Sequence, residues 1–256
     1  MDAPVLVVER ADRVATVTLN RPAVRNALDA ALLGELRAAM ADLGTDDEVD
    51  VVVLTGADPA FCAGLDLRQL GSSGENLSNG TRDDGVPSWF PWAPLAKPVI
   101  GAINGFAVTG GLELALNCDI LIASERASLG LPEVDVGLLG GCRHAMRLFS
   151  HSRLRRMMLT GLRVPGAELH RLGIVEACTT PEELLPTALE MAGVIASKSP
   201  VSTRMGKHTL NVIEDMSLRD GYRYEQDMTA QIARTDDARE AQRAFAEKRA
   251  PVFTGR

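Results

Sequence analysis

The sequence predicts an α/β protein in which parallel strands are joined by crossover helices, followed by a helical C-terminal region. In the first two-thirds of the 256 residues, strand and helix patterns alternate, as parallel strands with crossover helices require. After about residue 143, helical patterns dominate and a single short strand is predicted over 174–178. Long helical tails of this kind often pack on a neighbouring subunit, so we expect an oligomer.

The N-terminal elements follow from hydrophobic periodicity. Runs of strand-forming residues predict strands over 5–9 and 14–19, joined in a hairpin through Ala11-Asp12-Arg13. Leucine and methionine recur at every third or fourth position and predict an amphipathic helix over 28–43. Residues 49–54, which are apolar except for Asp50, predict a buried strand.

The middle of the chain combines a polar loop with a long apolar run. Residues 71–88 are rich in Gly, Ser, Asn and Asp and predict a mobile loop. Three aromatic residues follow, Trp89, Phe90 and Trp92, which either wall a ligand pocket or simply pack. The apolar residues 99–108 predict one strand.

The remaining elements are one more helix–strand unit and the helical tail. A helix is predicted to begin at Gly110-Gly111, and a strand over 120–123 follows it. The tail helices are predicted over 143–149, 152–160, 166–172, 182–198, 201–213, 217–234 and 236–248.

Composition excludes several classes of protein. The net charge of −7 argues against a nucleic-acid binder, and no apolar run is long enough for a membrane span. The N-terminus is predicted to be a strand rather than a signal peptide. The four cysteines form no CxxC pair and no His cluster has metal-ligand spacing, which predicts reduced thiols, no metal site and a cytoplasmic location.

The Gly110-Gly111 turn carries the clearest chemical signal. Glycines let backbone N–H groups approach a ligand closely, and the start of a helix adds unpaired donors. That combination suits an oxygen that becomes negative during a reaction. Glu113 lies in the first turn of the predicted helix, and Glu133 follows in Gly-Leu-Pro-Glu. The alternatives are that Glu113 only complements the helix dipole and that Glu133 is a surface acid.

Motifs along nearly the whole chain resemble the crotonase (enoyl-CoA hydratase/isomerase) superfamily. They are Leu19-Asn20-Arg21-Pro22 with Arg25-Asn26-Ala27-Leu28, Phe61-Cys62-Ala63-Gly64-Leu65-Asp66-Leu67, Gly110-Gly111-Leu112-Glu113-Leu114-Ala115-Leu116 with Cys118-Asp119, Gly130-Leu131-Pro132-Glu133, and the tail from Ala244 to Phe253. The resemblance implies an α/β spiral of ββα units with a C-terminal helical trimerisation region. It implies a core over 1–200 that holds an acyl-CoA site, and a helical region over 201–256 that packs on the core or on a neighbouring subunit.

The resemblance also implies the substrate and the partners. Family members act on acyl-CoA thioesters without a metal or redox cofactor, and they form homotrimers or dimers of trimers. Two backbone N–H groups hold the thioester oxygen, and those positions fall here on Leu65 and Gly110. Val24, Asn26, Ala63 and Asp66 would then line the coenzyme A arm.

Two further positions bear on which reaction is catalysed. Gly141, counted with the substrate-binding positions, stands where dienoyl isomerases and dehalogenases of the family often carry an Asp, which argues against those two reactions. Arg143 and His144 depart from the usual family run, so they either contact a polar acyl group or simply begin a helix.

The function expected from the resemblance is reversible addition of water to a 2-enoyl-CoA. Glu113 would activate the water and Glu133 would protonate the α-carbon. The alternatives on the same scaffold are double-bond isomerisation, hydration of a ring acyl-CoA, and dehydration of a hydroxyacyl-CoA such as carnitinyl-CoA. An alternative of another class is a non-catalytic acyl-CoA-binding subunit.

Overall fold

The computed structural model describes residues 3–66, 68 and 95–256, which form two sheets surrounded by helices. The strands are β1 (Leu6–Ala11), β2 (Val14–Leu19), β3 (Val51–Gly56), β4 (Ala60–Cys62), β5 (Val99–Ile103), β6 (Phe106–Val108), β7 (Ile120–Ser124), β8 (Ser128–Gly130), β9 (Arg163–Pro165) and β10 (Ala177–Thr179). The α-helices are α1 (Ala30–Thr45), α2 (Gly110–Leu116), α3 (Cys142–Ala145), α4 (His151–Thr160), α5 (Gly166–Arg171), α6 (Pro181–Ala196), α7 (Pro200–Ile213), α8 (Leu218–Ile232) and α9 (Asp236–Glu247).

The larger sheet confirms the predicted α/β class. Its strand order is β1-β2-β3-β5-β7-β10, and every pair except the β1–β2 hairpin is parallel. Strands β3 and β5 are buried along their whole length because helices cover both faces of a parallel sheet. Helix α1 packs its buried leucines and Met40 into the main hydrophobic core beneath this sheet.

The single strand predicted over 99–108 is wrong, because the structure divides it between two sheets. Strand β5 ends at Ile103 in the larger sheet, and β6 begins at Phe106 in a four-stranded sheet of order β4-β6-β8-β9. A Cβ built on Gly105 would lie 2.4 Å from the Pro59 carbonyl oxygen. The chain therefore crosses between the sheets at a position that only glycine can occupy.

Other boundaries shift without changing the topology. The strand predicted over 174–178 forms at Ala177–Thr179, and the helix predicted over 143–149 covers only Cys142–Ala145. Two 3-10 helices, Pro22–Val24 and Pro132–Val136, each start with a proline. The predicted loop over 71–88 and the three aromatic residues after it lie outside the described residues.

The helical tail is fastened to the larger sheet by ion pairs from α7. Arg204 lies 3.4 Å from the Asp50 carboxylate, and Lys207 lies 2.8 Å from Asp119.

The division of the chain into 1–200 and 201–256 stays a prediction. No helix in the described part of the chain has the length and apolar character that a membrane span needs.

A buried lysine closes the C-terminal end of α1. Lys97 is only 2% exposed, and its Nζ donates to the carbonyl oxygens of Leu43, in the last turn of the helix, and of Asp46, which also accepts from the Val49 N–H. Lys97→Met is therefore expected to lower the free energy of unfolding by about 1–3 kcal/mol, because it removes the donor to the Leu43 carbonyl and one of the two donors to the Asp46 carbonyl. Chemical denaturation measures the loss, with the exposed Lys198→Met as control. Equal stability of the two variants would show that the bonds contribute nothing.

Candidate active site

One large cavity, of about 1250 Å³, lies where the smaller sheet meets the segments that follow its strands. Its walls come from the segment 24–28, the loop 63–66, the turn between β6 and α2, and residues 132–140. Both glutamates singled out in the sequence, Glu113 and Glu133, face this cavity. The strand ends thus bring together residues far apart in the chain.

The β6–α2 turn is packed tightly against the end of β4. A Cβ built on Gly111 would lie 2.2 Å from the carbonyl oxygen of Cys62. Thr109 precedes the helix at φ 53° and ψ −127°, a region that disfavours β-branched residues. Such backbone strain costs about 1–3 kcal/mol and is typical of functional sites.

The backbone of Leu65 is oriented by a bridge to Leu28. The Leu28 N–H donates to the Gly64 carbonyl at 2.7 Å, and the Asp66 N–H donates to the Leu28 carbonyl at 2.9 Å. In a parallel bridge of this kind the N–H of the central residue points away from its partner, so the Leu65 N–H points away from Leu28.

The Leu65 and Gly110 backbones lie side by side on the cavity wall. A Cβ built on Gly110 would lie 3.7 Å from the Leu65 nitrogen. Among the described residues, no backbone hydrogen bond uses the N–H of Leu65 or of Gly110. The two donors therefore offer a site for a developing oxyanion.

The two glutamates lie on either side of Gly140-Gly141. A Cβ built on Gly140 would lie 3.4 Å from Glu133 Oε1, and one built on Gly141 would lie 3.2 Å from Glu113 Oε1. Burial, with the nearby Glu133 charge, raises the pKa of Glu113 to about 7, although the Gly141 N–H bond opposes the shift. Burial raises the pKa of Glu133 as well.

Glu133 is held in an unsatisfied state. It is 7% exposed, and its buried Oε2 has no hydrogen-bond partner among the described residues. A neutral carboxyl tolerates this environment far better than an ionised one. The site can therefore hold one ionised and one neutral carboxyl, which acid–base chemistry at two carbons requires.

Most of the residues predicted to contact the ligand line the cavity. Val24, Ala63 and Asp66 lie on its wall together with Leu65. The Arg68 guanidinium contacts Asp66 at 2.8 Å and holds the pKa of that carboxyl below its usual range. This ion pair therefore lies at the edge of the cavity.

The prediction that Asn26 lines the ligand site needs correction, because the Asn26 side chain lies behind the cavity wall and not on it. It is fully buried, accepts a hydrogen bond from the Arg21 N–H at 2.8 Å, and donates to the carbonyl oxygens of Ala57 and Ala60. These bonds tie the segment before α1 to the start of β4. The Asn26 side chain therefore holds the shape of the wall from behind.

Gly141 and the residues after it also lie off the lining. Gly141 is not among the cavity-lining residues, and its backbone contacts Glu113 instead. Arg143 forms an exposed ion pair with Asp215 at 3.0 Å, and His144 does not line the cavity. Of the two interpretations of Arg143 and His144, the structure therefore favours residues that begin a helix.

Phe106 and Arg163 are among the cavity residues that sequence reasoning missed. The Arg163 guanidinium lies 5.6 Å from the centre of the Phe106 ring, and both line the cavity. Their strands are only three residues long, too short to show an alternating pattern.

No group of three or more His, Cys, Asp or Glu that could hold a metal occurs in the ranges that the structure describes.

Comparisons with known proteins identify the family of this chain. Residues 9–256 match the family described as Enoyl-CoA hydratase/isomerase. The chain is 37% identical over 259 residues to a probable enoyl-CoA hydratase of Rhizobium meliloti (strain 1021), covering 100% of both proteins. It is 35% identical to the 2,3-dehydroadipyl-CoA hydratase of Escherichia coli (strain K12), covering 98% of this chain and 99% of the relative. The crystal structure of an enoyl-CoA hydratase from Mycobacterium tuberculosis H37Rv superposes with a TM-score of 0.91 at 32% identity, covering 99% of this chain and 100% of that one.

Proposed function

Because the chain belongs to the enoyl-CoA hydratase/isomerase family, its activity is that of an enoyl-CoA hydratase, and we propose that Glu113 and Glu133 carry it out. Water adds reversibly across the double bond of a 2-enoyl-CoA. The observation that supports these roles most strongly is the pair of desolvated carboxyls facing one cavity beside two unpaired N–H donors.

Each group has one task in the proposed mechanism. The thioester oxygen accepts from the Leu65 and Gly110 N–H groups, which stabilise the negative charge of an enolate-like state. Ionised Glu113 takes a proton from water as the water oxygen bonds to the β-carbon. Neutral Glu133 gives its proton to the α-carbon, which completes the addition. The reverse steps remove water.

The test uses crotonyl-CoA and follows the absorbance of the conjugated enoyl thioester. Loss of absorbance with formation of 3-hydroxybutanoyl-CoA supports hydration. Isomerisation and dehydration of hydroxyacyl-CoA substrates are separated from it by product analysis. Tight acyl-CoA binding without turnover of any enoyl-CoA would instead support a binding subunit and contradict the proposal.

The pH dependence tests which glutamate acts as the base. Because the pKa of Glu113 is raised to about 7, the base is protonated at lower pH, and kcat/KM is expected to rise with pH through that value. Below the pKa the loss approaches about tenfold per pH unit. Initial rates from about pH 5.5 to about pH 8.5 measure the profile. A flat profile over this range would exclude Glu113 as the base.

Further parts of the proposal concern ligands and assembly. We propose that Val24, Ala63 and Asp66 border the coenzyme A arm and that the reaction needs no cofactor beyond the substrate's own coenzyme A. We also propose a homotrimer or a dimer of trimers in the cytoplasm. Large apolar side chains exposed on the tail helices support assembly, notably Leu218 at 91% and Phe245 at 88%.

A further inference from the structure

The side chain of Thr109 occupies the space that Gly64 leaves empty. A Cβ built on Gly64 would lie only 1.5 Å from Thr109 Oγ1 and 2.9 Å from Thr109 Cβ. The hydroxyl lies 3.5 Å from the carbonyl oxygen of Ala63. The threonine therefore packs directly against the segment that leads into Leu65.

Thr109 thus stands between the two N–H donors of the site. One donor, Leu65, follows β4, and the other, Gly110, begins α2, so the two lie on different elements. Thr109 is bonded to Gly110 through the peptide and contacts the 63–64 segment through its side chain. Its N–H donates to the Gly130 carbonyl at 3.2 Å, which fixes the turn against β8 as well.

The backbone of Thr109 shows that this contact is maintained against a local preference. The dihedral angles φ 53° and ψ −127° are less strained for glycine than for other residues, yet this chain places a β-branched residue there. Glycine at this position would relax the backbone but would leave a gap against Gly64. The backbone conformation therefore does not explain why a threonine stands here, whereas the contact of its side chain does.

We propose that Thr109 is a positioning residue that sets the separation and direction of the Leu65 and Gly110 N–H groups toward the thioester oxygen. The proposal rests on the proposed function, since it assigns an oxyanion site to those two donors. In this role Thr109 acts through geometry alone, and its hydroxyl takes no part in a proton transfer.

Three variants separate positioning from packing. Thr109→Gly and Thr109→Ala are expected to lower kcat with crotonyl-CoA by about tenfold or more, with KM within about threefold, because misaligned donors lose part of their transition-state stabilisation. Thr109→Ser keeps the oxygen against the 63–64 segment and is expected to retain kcat within about threefold. The melting temperature of Thr109→Gly is expected to equal or exceed that of the wild type, since backbone strain is relieved.

A spectroscopic measurement tests the donors without turnover. Butanoyl-CoA labelled with carbon-13 at its thioester carbonyl is saturated and cannot be hydrated. Its carbonyl stretch is expected to shift to lower frequency on binding to the wild type and to Thr109→Ser. The shift is expected to be smaller in Thr109→Gly and Thr109→Ala.

The outcomes distinguish this proposal from the hydratase assignment. Wild-type kcat and an unchanged carbonyl shift in Thr109→Gly would overturn the positioning role, as would a change in melting temperature or KM alone. A wild type that polarises the carbonyl but hydrates nothing would contradict the assigned reaction and leave the positioning role supported. A wild type without any carbonyl shift would overturn both.

Discussion

Replacing Glu133 by Gln is expected to lower kcat for hydration by about 10²- to 10⁴-fold, because the amide cannot donate a proton to the α-carbon. Glu113→Gln is expected to lower kcat by a similar factor, because the amide cannot take the proton of the attacking water. Gln keeps the size of the side chain, so substrate binding and KM should change little. Stopped-flow or steady-state absorbance assays with crotonyl-CoA measure both losses.

The same variants should not be less stable, which separates a chemical role from a structural one. Burial raises the pKa of Glu113 above its unfolded value, so the folded state binds its proton more readily than the unfolded state. The ionised carboxylate therefore opposes folding, so stability falls as pH rises from the ordinary carboxyl pKa of 4.5 to about 7 and levels off above it. Glu113→Gln should remove this dependence and gain most in relative stability at alkaline pH.

The matched control is Glu182→Gln, which also changes an acid in the first turn of a helix but at an exposed position. It is expected to leave kcat unchanged. If Glu113→Gln kept kcat within about threefold of the wild type, the glutamate would only complement the helix dipole.

Gly111→Ala is expected to lower the free energy of unfolding by about 1–3 kcal/mol or more and to abolish most activity. The added methyl would lie 2.2 Å from the Cys62 carbonyl oxygen and 2.8 Å from the Cys62 carbonyl carbon. Both are backbone atoms, so β4 and α2 must move apart. That movement also separates the Leu65 and Gly110 donors.

The comparison variant is Gly34→Ala, which makes the same chemical change on the exposed surface of α1. A Cβ there meets nothing within 4 Å, so the change is expected to raise stability by about 0.5–1 kcal/mol through helix propensity. Urea unfolding of both proteins measures the contrast. Equal stability of Gly111→Ala and the wild type would mean that β4 and α2 can move apart at little cost in free energy.

The sequence predicted the fold wherever elements were long enough to show their periodicity. Helix α1, strand β3 and the long tail helices are recognisable because each repeats its apolar positions over several turns or pleats. The smaller sheet was missed because β4, β8 and β9 have only three residues each. Their places are set by pairing with distant segments, which a local pattern does not record.

The candidate site was predictable in part, because its two glutamates follow recognisable local motifs. Glu113 was found through its Gly-Gly turn, and Glu133 through its proline-preceded loop. Asn26 was misplaced because a polar residue near a ligand-binding motif looks the same in sequence whether it faces the cavity or the backbone behind it. The strain at Thr109 is a property of dihedral angles and leaves no trace in the residue order.

The left-handed backbone at Gly141 limits how this enzyme could change its reaction in evolution. The resemblance to the crotonase superfamily aligns Gly141 with a position where dienoyl isomerases and dehalogenases are expected to carry an aspartate. Gly141 has a φ of 68°, in the left-handed range that favours glycine, and a Cβ built there would lie 2.7 Å from Leu131 Cδ2. A Gly141→Asp exchange would therefore strain the backbone and displace the end of the Leu131 side chain. An aspartate at this position is therefore expected to lower stability unless the surrounding residues change as well.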